Sequence, residues 1–134
     1  MTQFELPFPP STNHIWRHVR GRTFLSAAGR RFRQRVAAIL RAANIQPTSG
    51  KLCCSVTVFP PDRRRRDLDN LLKSLLDALQ HGGAFPDDSQ IVWLITVKAI
   101  PIRGGQVRVA LAPLSRAACR SMCDAAMPED ASCN

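Results

Sequence analysis

The stretch DRRRRDLDN at residues 62–70 carries the side chains best suited to chemistry. Four adjacent arginines repel one another, and so do Asp67 and Asp69, which stand one residue apart. A second acidic pair, Asp87 and Asp88, follows in the segment AFPDDSQ. Clustered carboxylates without His or Cys neighbours favour a hard cation such as Mg²⁺ or Mn²⁺, and arginines favour phosphate. The pattern therefore predicts a metal ion beside a phosphate.

Helix capping is the simpler explanation for aspartates at these positions. Aspartate is favoured at a helix start because it accepts hydrogen bonds from unpaired N–H groups there. One aspartate needs no other explanation, but Asp67 and Asp69 are followed by Asn70 and, one turn beyond Asp69, by Lys73. That set exceeds what a cap requires. Because strand ends and helix starts often meet at one rim of a sheet, we expect the second acidic pair to approach the first.

Charge is distributed unevenly along the chain, whose net charge is +9. Residues 1–66 hold 13 basic and 2 acidic residues, whereas residues 67–112 hold 4 and 5. Only three of the 19 basic residues are lysine. A basic half dominated by arginine is typical of phosphate binding, since the planar guanidinium binds two oxygens at once. A merely soluble basic surface is the alternative, although solubility requires neither the segregation nor the arginine preference.

Composition places the chain among globular proteins. Its 134 residues, 45% of them hydrophobic, fit one domain with one core. No apolar run approaches the roughly 18 residues of a membrane span, and MTQFELPFPP lacks the features of a signal peptide. Five cysteines are an odd number, and Cys53 and Cys54 lie within an apolar run. We therefore expect buried free thiols and a cytoplasmic protein without a membrane partner.

Periodicity and turn residues predict one α/β (α+β) domain with a mixed sheet and two main helices. The predicted elements are a strand at 3–8, a hairpin within 9–26 that turns at Gly21, a helix at 27–44, a strand at 51–60, a helix at 67–83, and strands at 91–100 and 106–112. The run IVWLITVKAI at 91–100 is almost continuously apolar, which predicts a buried central strand.

The segment 113–134 shows no strong periodicity, and we expect it to be a loosely docked or disordered tail after a domain at 1–112. Its cysteines, Cys119, Cys123 and Cys133, have a spacing that is a poor zinc signature, and no function is assigned to them.

Two blocks of the sequence, PPDRRRRDLDNLLKSLLDAL and FPDDSQI, together with the opening LPFPPSTNHIWRHVRGRTFLS, resemble the RusA family of Holliday junction resolvases. The resemblance extends over residues 3–112. It implies a homodimeric, Mg²⁺-dependent endonuclease that resolves four-way DNA junctions in recombination and repair. The clustered carboxylates also admit Mn²⁺ as a substitute, and we expect no small-molecule cofactor.

The resemblance also implies roles for individual residues. It makes Asp67, Asp69 and Asp88 the essential acidic residues and Lys73 an essential base. Our hypothesis is that the three aspartates hold Mg²⁺ and that Lys73 donates to the scissile phosphate or stabilises the charge that develops on it. Asn70 and Asp87 are further motif positions. The arginine run is expected to hold the DNA backbone and to read little sequence; its members are Arg63, Arg64, Arg65 and Arg66.

Two alternatives remain at the level of sequence. A non-catalytic DNA-binding module explains the charge, with the aspartates as caps, but leaves the second acidic pair unexplained. A nuclease for flaps or other branched DNA fits the same residues as a junction resolvase. Trp16 and Phe24, in the basic hairpin, are suited either to stacking on exposed bases or to core packing.

Overall fold

The computed structural model describes residues 1–11 and 16–127, so that Cys133 lies outside the described residues. The elements in chain order are strands β1 (Thr2–Leu6), β2 (Trp16–Val19) and β3 (Arg22–Leu25), helix α1 (Ala27–Ala42), strand β4 (Leu52–Phe59), helix α2 (Leu68–His81), a 3₁₀ helix (Asp88–Gln90), strands β5 (Ile91–Lys98) and β6 (Gln106–Pro113), and helix α3 (Arg116–Ala126).

Four strands form the main sheet, in the order β1-β6-β4-β5. The pair β4–β5 is parallel, and β1–β6 and β4–β6 are antiparallel. Strands β2 and β3 form a separate two-stranded sheet. The predicted mixed sheet in a single α+β domain is confirmed, and so is the hairpin that turns at Gly21.

Helices α1 and α2 cover one face of the main sheet. The leucines of α2 recur at helical spacing, so that Leu71, Leu75 and Leu79 are buried against the sheet. In α1, the side chain of Ser26 caps the helix by accepting the N–H of Gly29 at 3.1 Å. The two helices and the inward-facing residues of β4 and β6 form the main core.

Helix α3 covers part of the opposite face, where no helix was predicted. Ser115 caps it by accepting the N–H of Ala118 at 3.0 Å, and buried Met122 packs against Cys53 and Ala112 of the sheet. The apolar stripe of this helix consists mainly of alanine and cysteine at helical spacing, a pattern that was not recognised in the sequence. The segment up to Met127 is therefore not the loose tail expected from the sequence, and residues 128–134 lie outside the described part.

Strand β5 is an edge strand, so the predicted central position is wrong. Its apolar character serves two surfaces. Trp93 and Ile95 pack beneath α3, whereas Val92 is 52% exposed and Leu94 40% exposed. An apolar edge strand with free backbone groups is a template for pairing with another chain.

The expectation of buried free thiols is confirmed for Cys53 and Cys54. Burial raises the pKa of Cys54 to about 12, so that this thiol stays protonated and unreactive at neutral pH. Within residues 1–11 and 16–127, the helices lack the combination of length and apolarity that spanning a bilayer would require.

Candidate active site

The first turn of α2 presents the first acidic pair. Asp67 occupies the N-cap position with extended backbone, yet its side chain makes no capping hydrogen bond. Asp69 accepts the N–H of Asn70 at 3.0 Å and is otherwise exposed. Lys73 is exposed one turn further along the face that carries Asp69. Capping, the simpler explanation for an aspartate at position 67, therefore does not account for its side chain.

The loop before α2 is ordered by Asp62. The carboxylate of Asp62 accepts two hydrogen bonds from the guanidinium of Arg66, at 2.6 and 3.2 Å, and a third from the backbone N–H of Arg64 at 2.9 Å. These bonds, that to Arg66 foremost, lower the pKa of Asp62 to about 2. The carboxylate therefore remains charged at neutral pH.

Arg66 makes three kinds of contact that fix its position: with Asp62, with Phe8 and with Lys98. Its guanidinium also lies over the ring of Phe8, 5.4 Å from the ring centroid, and its backbone carbonyl accepts a hydrogen bond from the Nζ of Lys98 at 2.6 Å. The Arg66 side chain is only 21% exposed, compared with 84% for Arg64. Of the four predicted phosphate ligands, Arg63, Arg64 and Arg65 are the exposed ones.

A groove leads to this loop from helix α1. It has a volume of about 600 Å³, with a floor of prolines and Phe8 and a rim that includes Arg31, Arg35 and Arg66. A smaller cleft of about 190 Å³ continues it, sharing Phe8 and Arg66 and reaching Asp67. None of the described residues that line the larger groove is acidic. A basic groove thus leads to the carboxylate of Asp67, which makes no capping hydrogen bond.

Sequence reasoning did not assign Arg31 and Arg35 to this groove. They stand at i and i+4 on α1, where two like charges repel each other across one turn. That spacing, together with the LPFPPS segment that forms the floor, was the available signal. The hydroxyl of Ser74 donates to the carbonyl of Pro10 at 3.2 Å and so fixes the floor to α2.

The second acidic pair begins the 3₁₀ helix. The carboxylate of Asp87 accepts the N–H of Ser89 at 2.8 Å, which lowers the pKa of Asp87, and the N–H of Asp87 donates to Oε1 of Gln90 at 3.0 Å. The Nε2 of Gln90 in turn donates to the carbonyls of Thr48 and Gly50. Asp87 is therefore used as a cap.

The two acidic pairs lie at opposite ends of α2. The N–H of Asp88 donates to Oε1 of Gln80 at 2.9 Å, whereas Asp69 lies 11 residues earlier on the helix, a rise of about 16 Å. The residues the structure describes include no group of three or more His, Cys, Asp or Glu side chains able to hold a metal ion. The expectation that both pairs meet at one rim is not met within a single chain.

Comparisons with known proteins agree on one family. The model of the endodeoxyribonuclease RusA family matches residues 7–112. The crossover junction endodeoxyribonuclease RusA of Escherichia coli K12 is 41% identical over 111 residues, which cover 79% of this chain and 89% of that protein. The enzyme of the same name from Enterobacteria phage HK97 is 37% identical over 113 residues, covering 84% and 94%. The chain belongs to the RusA endodeoxyribonuclease family.

Proposed function

We propose that this chain is an endodeoxyribonuclease that resolves four-way DNA junctions as a homodimer, with Mg²⁺ bound at the start of α2. The observation that carries the proposal is the uncapped carboxylate of Asp67 at the end of a basic groove. The names of the relatives, crossover junction endodeoxyribonucleases from a bacterium and its phages, support the reaction and the branched substrate. A DNA substrate of this kind places the enzyme in the bacterial cytoplasm.

The donor set fits a hard divalent cation. Mg²⁺ in proteins is commonly held by one or two carboxylates, with waters and substrate phosphates as the other ligands. Asp67 and Asp69 can provide the carboxylates. Mn²⁺ accepts the same oxygen ligands and serves as a substitute. Such an ion, when bound, polarises the phosphodiester and lowers the pKa of an attacking water.

The remaining residues bind and orient the substrate. Lys73, beside Asp69 on the exposed face of α2, donates to the scissile phosphate and stabilises the charge that develops on it. Arg63, Arg64 and Arg65 contact the DNA backbone next to the cleavage site, and Arg66 holds the loop that presents them. Asn70 lines the cleft beside Asp67 and helps to position the strand.

The second subunit explains how Asp88 contributes despite its position. Asp88 begins the 3₁₀ helix that leads directly into the edge strand β5, where Val92 and Leu94 are exposed to a partner chain. A twofold axis beside α2 sets two copies of the helix antiparallel. The N-terminal end of each helix then lies beside the C-terminal end of the other. We place Asp67 and Asp69 of one subunit at a common site with Asp88 of the partner subunit.

Incubation with a synthetic four-way junction, with and without Mg²⁺, tests the reaction. We expect paired cuts in the junction only with the metal, and far less cleavage of matched duplex and flap substrates. Binding without any cleavage would leave a non-catalytic DNA-binding module. Equal cleavage of flaps would leave a general branched-DNA nuclease.

Mixing two inactive variants tests the shared site. Asp69→Asn and Asp88→Asn homodimers each lack a complete site, but their heterodimer retains one in which both residues are intact. We therefore expect nicking of one junction strand to appear after subunit exchange. A matched mixture of Asp67→Asn and Asp69→Asn, which damages the same half of both sites, should remain inactive. Inactivity of both mixtures, with exchange shown by sedimentation of differently tagged subunits, would contradict the shared site.

A further inference from the structure

The hairpin β2–β3 stands apart from the main sheet and exposes apolar side chains. Its register pairs Arg17 with Phe24 and Val19 with Arg22. Phe24 is 50% exposed and Val19 47% exposed. Two exposed apolar side chains on one short hairpin form a candidate contact surface.

One face of the hairpin combines apolar and cationic groups. Cross-strand partners lie on the same face, and alternate pairs share it, so Phe24, Val19, Arg17 and Arg22 stand together. The opposite face carries a contact of 3.1 Å between the side chains of Thr23 and His18. A face with one aromatic ring between two guanidinium groups suits a ligand that offers both a flat π surface and phosphates.

The tip of the hairpin carries a third arginine at a conformational cost. Arg20 has φ 49° and Gly21 has φ 74°, the two left-handed residues of a two-residue turn. Asparagine or glycine is the favoured residue at the position of Arg20, since a side chain in this conformation costs about 1–2 kcal/mol. Among the described residues Arg17, Arg20 and Arg22 form no ion pair, and no acidic residue occurs between Leu6 and Pro61.

The base of the hairpin is fixed to helix α1, which lines one side of the groove. Strand β3 ends at Leu25, whose carbonyl accepts a hydrogen bond from Nη1 of Arg30 at 2.9 Å. The next residue, Ser26, caps α1, and Ala28 in the first turn of that helix lines the basic groove. Strand β3 therefore leads directly into α1, the helix that carries Arg31 and Arg35 of the groove.

We propose that this hairpin recognises the branch point of the junction. Phe24 stacks on a base pair that lacks a neighbour at the crossing, and Arg17, Arg20 and Arg22 bind the phosphates around it. Inside a continuous duplex each base pair is covered on both sides, so Phe24 finds no free π surface there. The hairpin then determines selectivity for junctions over duplex, which rests on, and deepens, the function proposed above.

Binding measurements in an Asp69→Asn background, which suppresses cleavage, test this role. We expect Phe24→Ala to weaken junction binding by roughly 5- to 150-fold, the range for loss of one base–aromatic stack, and to leave duplex binding unchanged. Val19→Ala removes a similarly exposed apolar side chain from the same face and should change neither affinity more than twofold. Phe24→Trp should retain the preference, and Phe24→Leu should lose it.

A 2-aminopurine base at the branch point supplies a second readout. Its fluorescence should be quenched when the protein with Phe24 binds and should stay high with Phe24→Ala. Equal losses on junction and duplex, or no loss on either, would overturn the proposal. A dissociated dimer in the Phe24→Ala variant would assign the ring to a subunit interface instead. If the protein with Phe24 intact shows no preference for junctions, the proposed function fails; if both proteins prefer junctions, only the role of the hairpin fails.

Discussion

The two acidic pairs of this protein occupy the same kind of position and are used differently. Asp67 and Asp87 both stand at the N-cap of a helix. The carboxylate and N–H of Asp87 both take part in a capping box, whereas the carboxylate of Asp67 makes no capping bond and faces a basic cleft. Residue type and helix position are thus the same for both, whereas the fold has satisfied the carboxylate of Asp87 and left that of Asp67 without a capping bond. We propose that this difference distinguishes a metal-binding carboxylate from a structural one.

The largest expected effect is on the rate of junction cleavage, which should fall on substitution in the first acidic pair and not on substitution of Asp87. Asp69→Asn removes a charge that we assign to the metal, and the rate of junction cleavage should fall on the order of 10²–10³-fold with DNA binding and Tm unchanged. Asp87→Asn keeps an oxygen for capping and should cleave normally. Kinetics under single-turnover conditions measure both. Undiminished Mg²⁺-dependent cleavage by Asp69→Asn would contradict the metal-binding role proposed for Asp69.

The arginine run also contains both exposed side chains and one that the fold engages, and substitutions there should have an intermediate effect on DNA binding. Replacing exposed Arg64 and Arg65 by Gln should lower the slope of log affinity against log salt by about 1.8, since each phosphate contact contributes about 0.9. Arg66→Gln removes the pair with Asp62 and should mainly lower Tm. Salt titrations of junction binding, alongside thermal melts, provide the measurement. An unaltered slope in the double variant would mean that Arg64 and Arg65 do not reach phosphate.

The smallest expected effect concerns the turn that supports the groove floor. Gly104 and Gly105 both have positive φ, at 82° and 69°. A Cβ on Gly105 would lie 2.8 Å from Cβ of Phe8 and 3.0 Å from Pro61, whereas one on Gly104 meets nothing within 4 Å. Gly105→Ala should therefore destabilise the protein by about 1–3 kcal/mol more than Gly104→Ala. Urea unfolding of both variants isolates the clash from the backbone cost, and equal losses would show that Phe8 moves freely.

Local sequence determined most of the secondary structure. Leucine spacing defined α2, the Ser26 cap defined the start of α1, and the Arg20–Gly21 turn defined the hairpin, because each depends on neighbours within a few residues. The motif residues on α2 were also identifiable, since Asp69 and Lys73 share a face through helical spacing alone. Helix α3 was missed although its apolar residues, mostly alanine and cysteine, recur at helical spacing.

Tertiary structure decided the features that depend on distant parts of the chain. The strand order places β5 at an edge of the sheet, although its sequence is as apolar as that of a central strand. The apolar residues are accounted for in part by α3, which covers one face of β5. Packing of the 3₁₀ helix against Gln80 placed Asp88 far from Asp69, and the contacts of Asp62 and Phe8 engaged Arg66. The sequence determined which groups could bind a metal and DNA; only the packing of distant segments decided which of them the fold had already used.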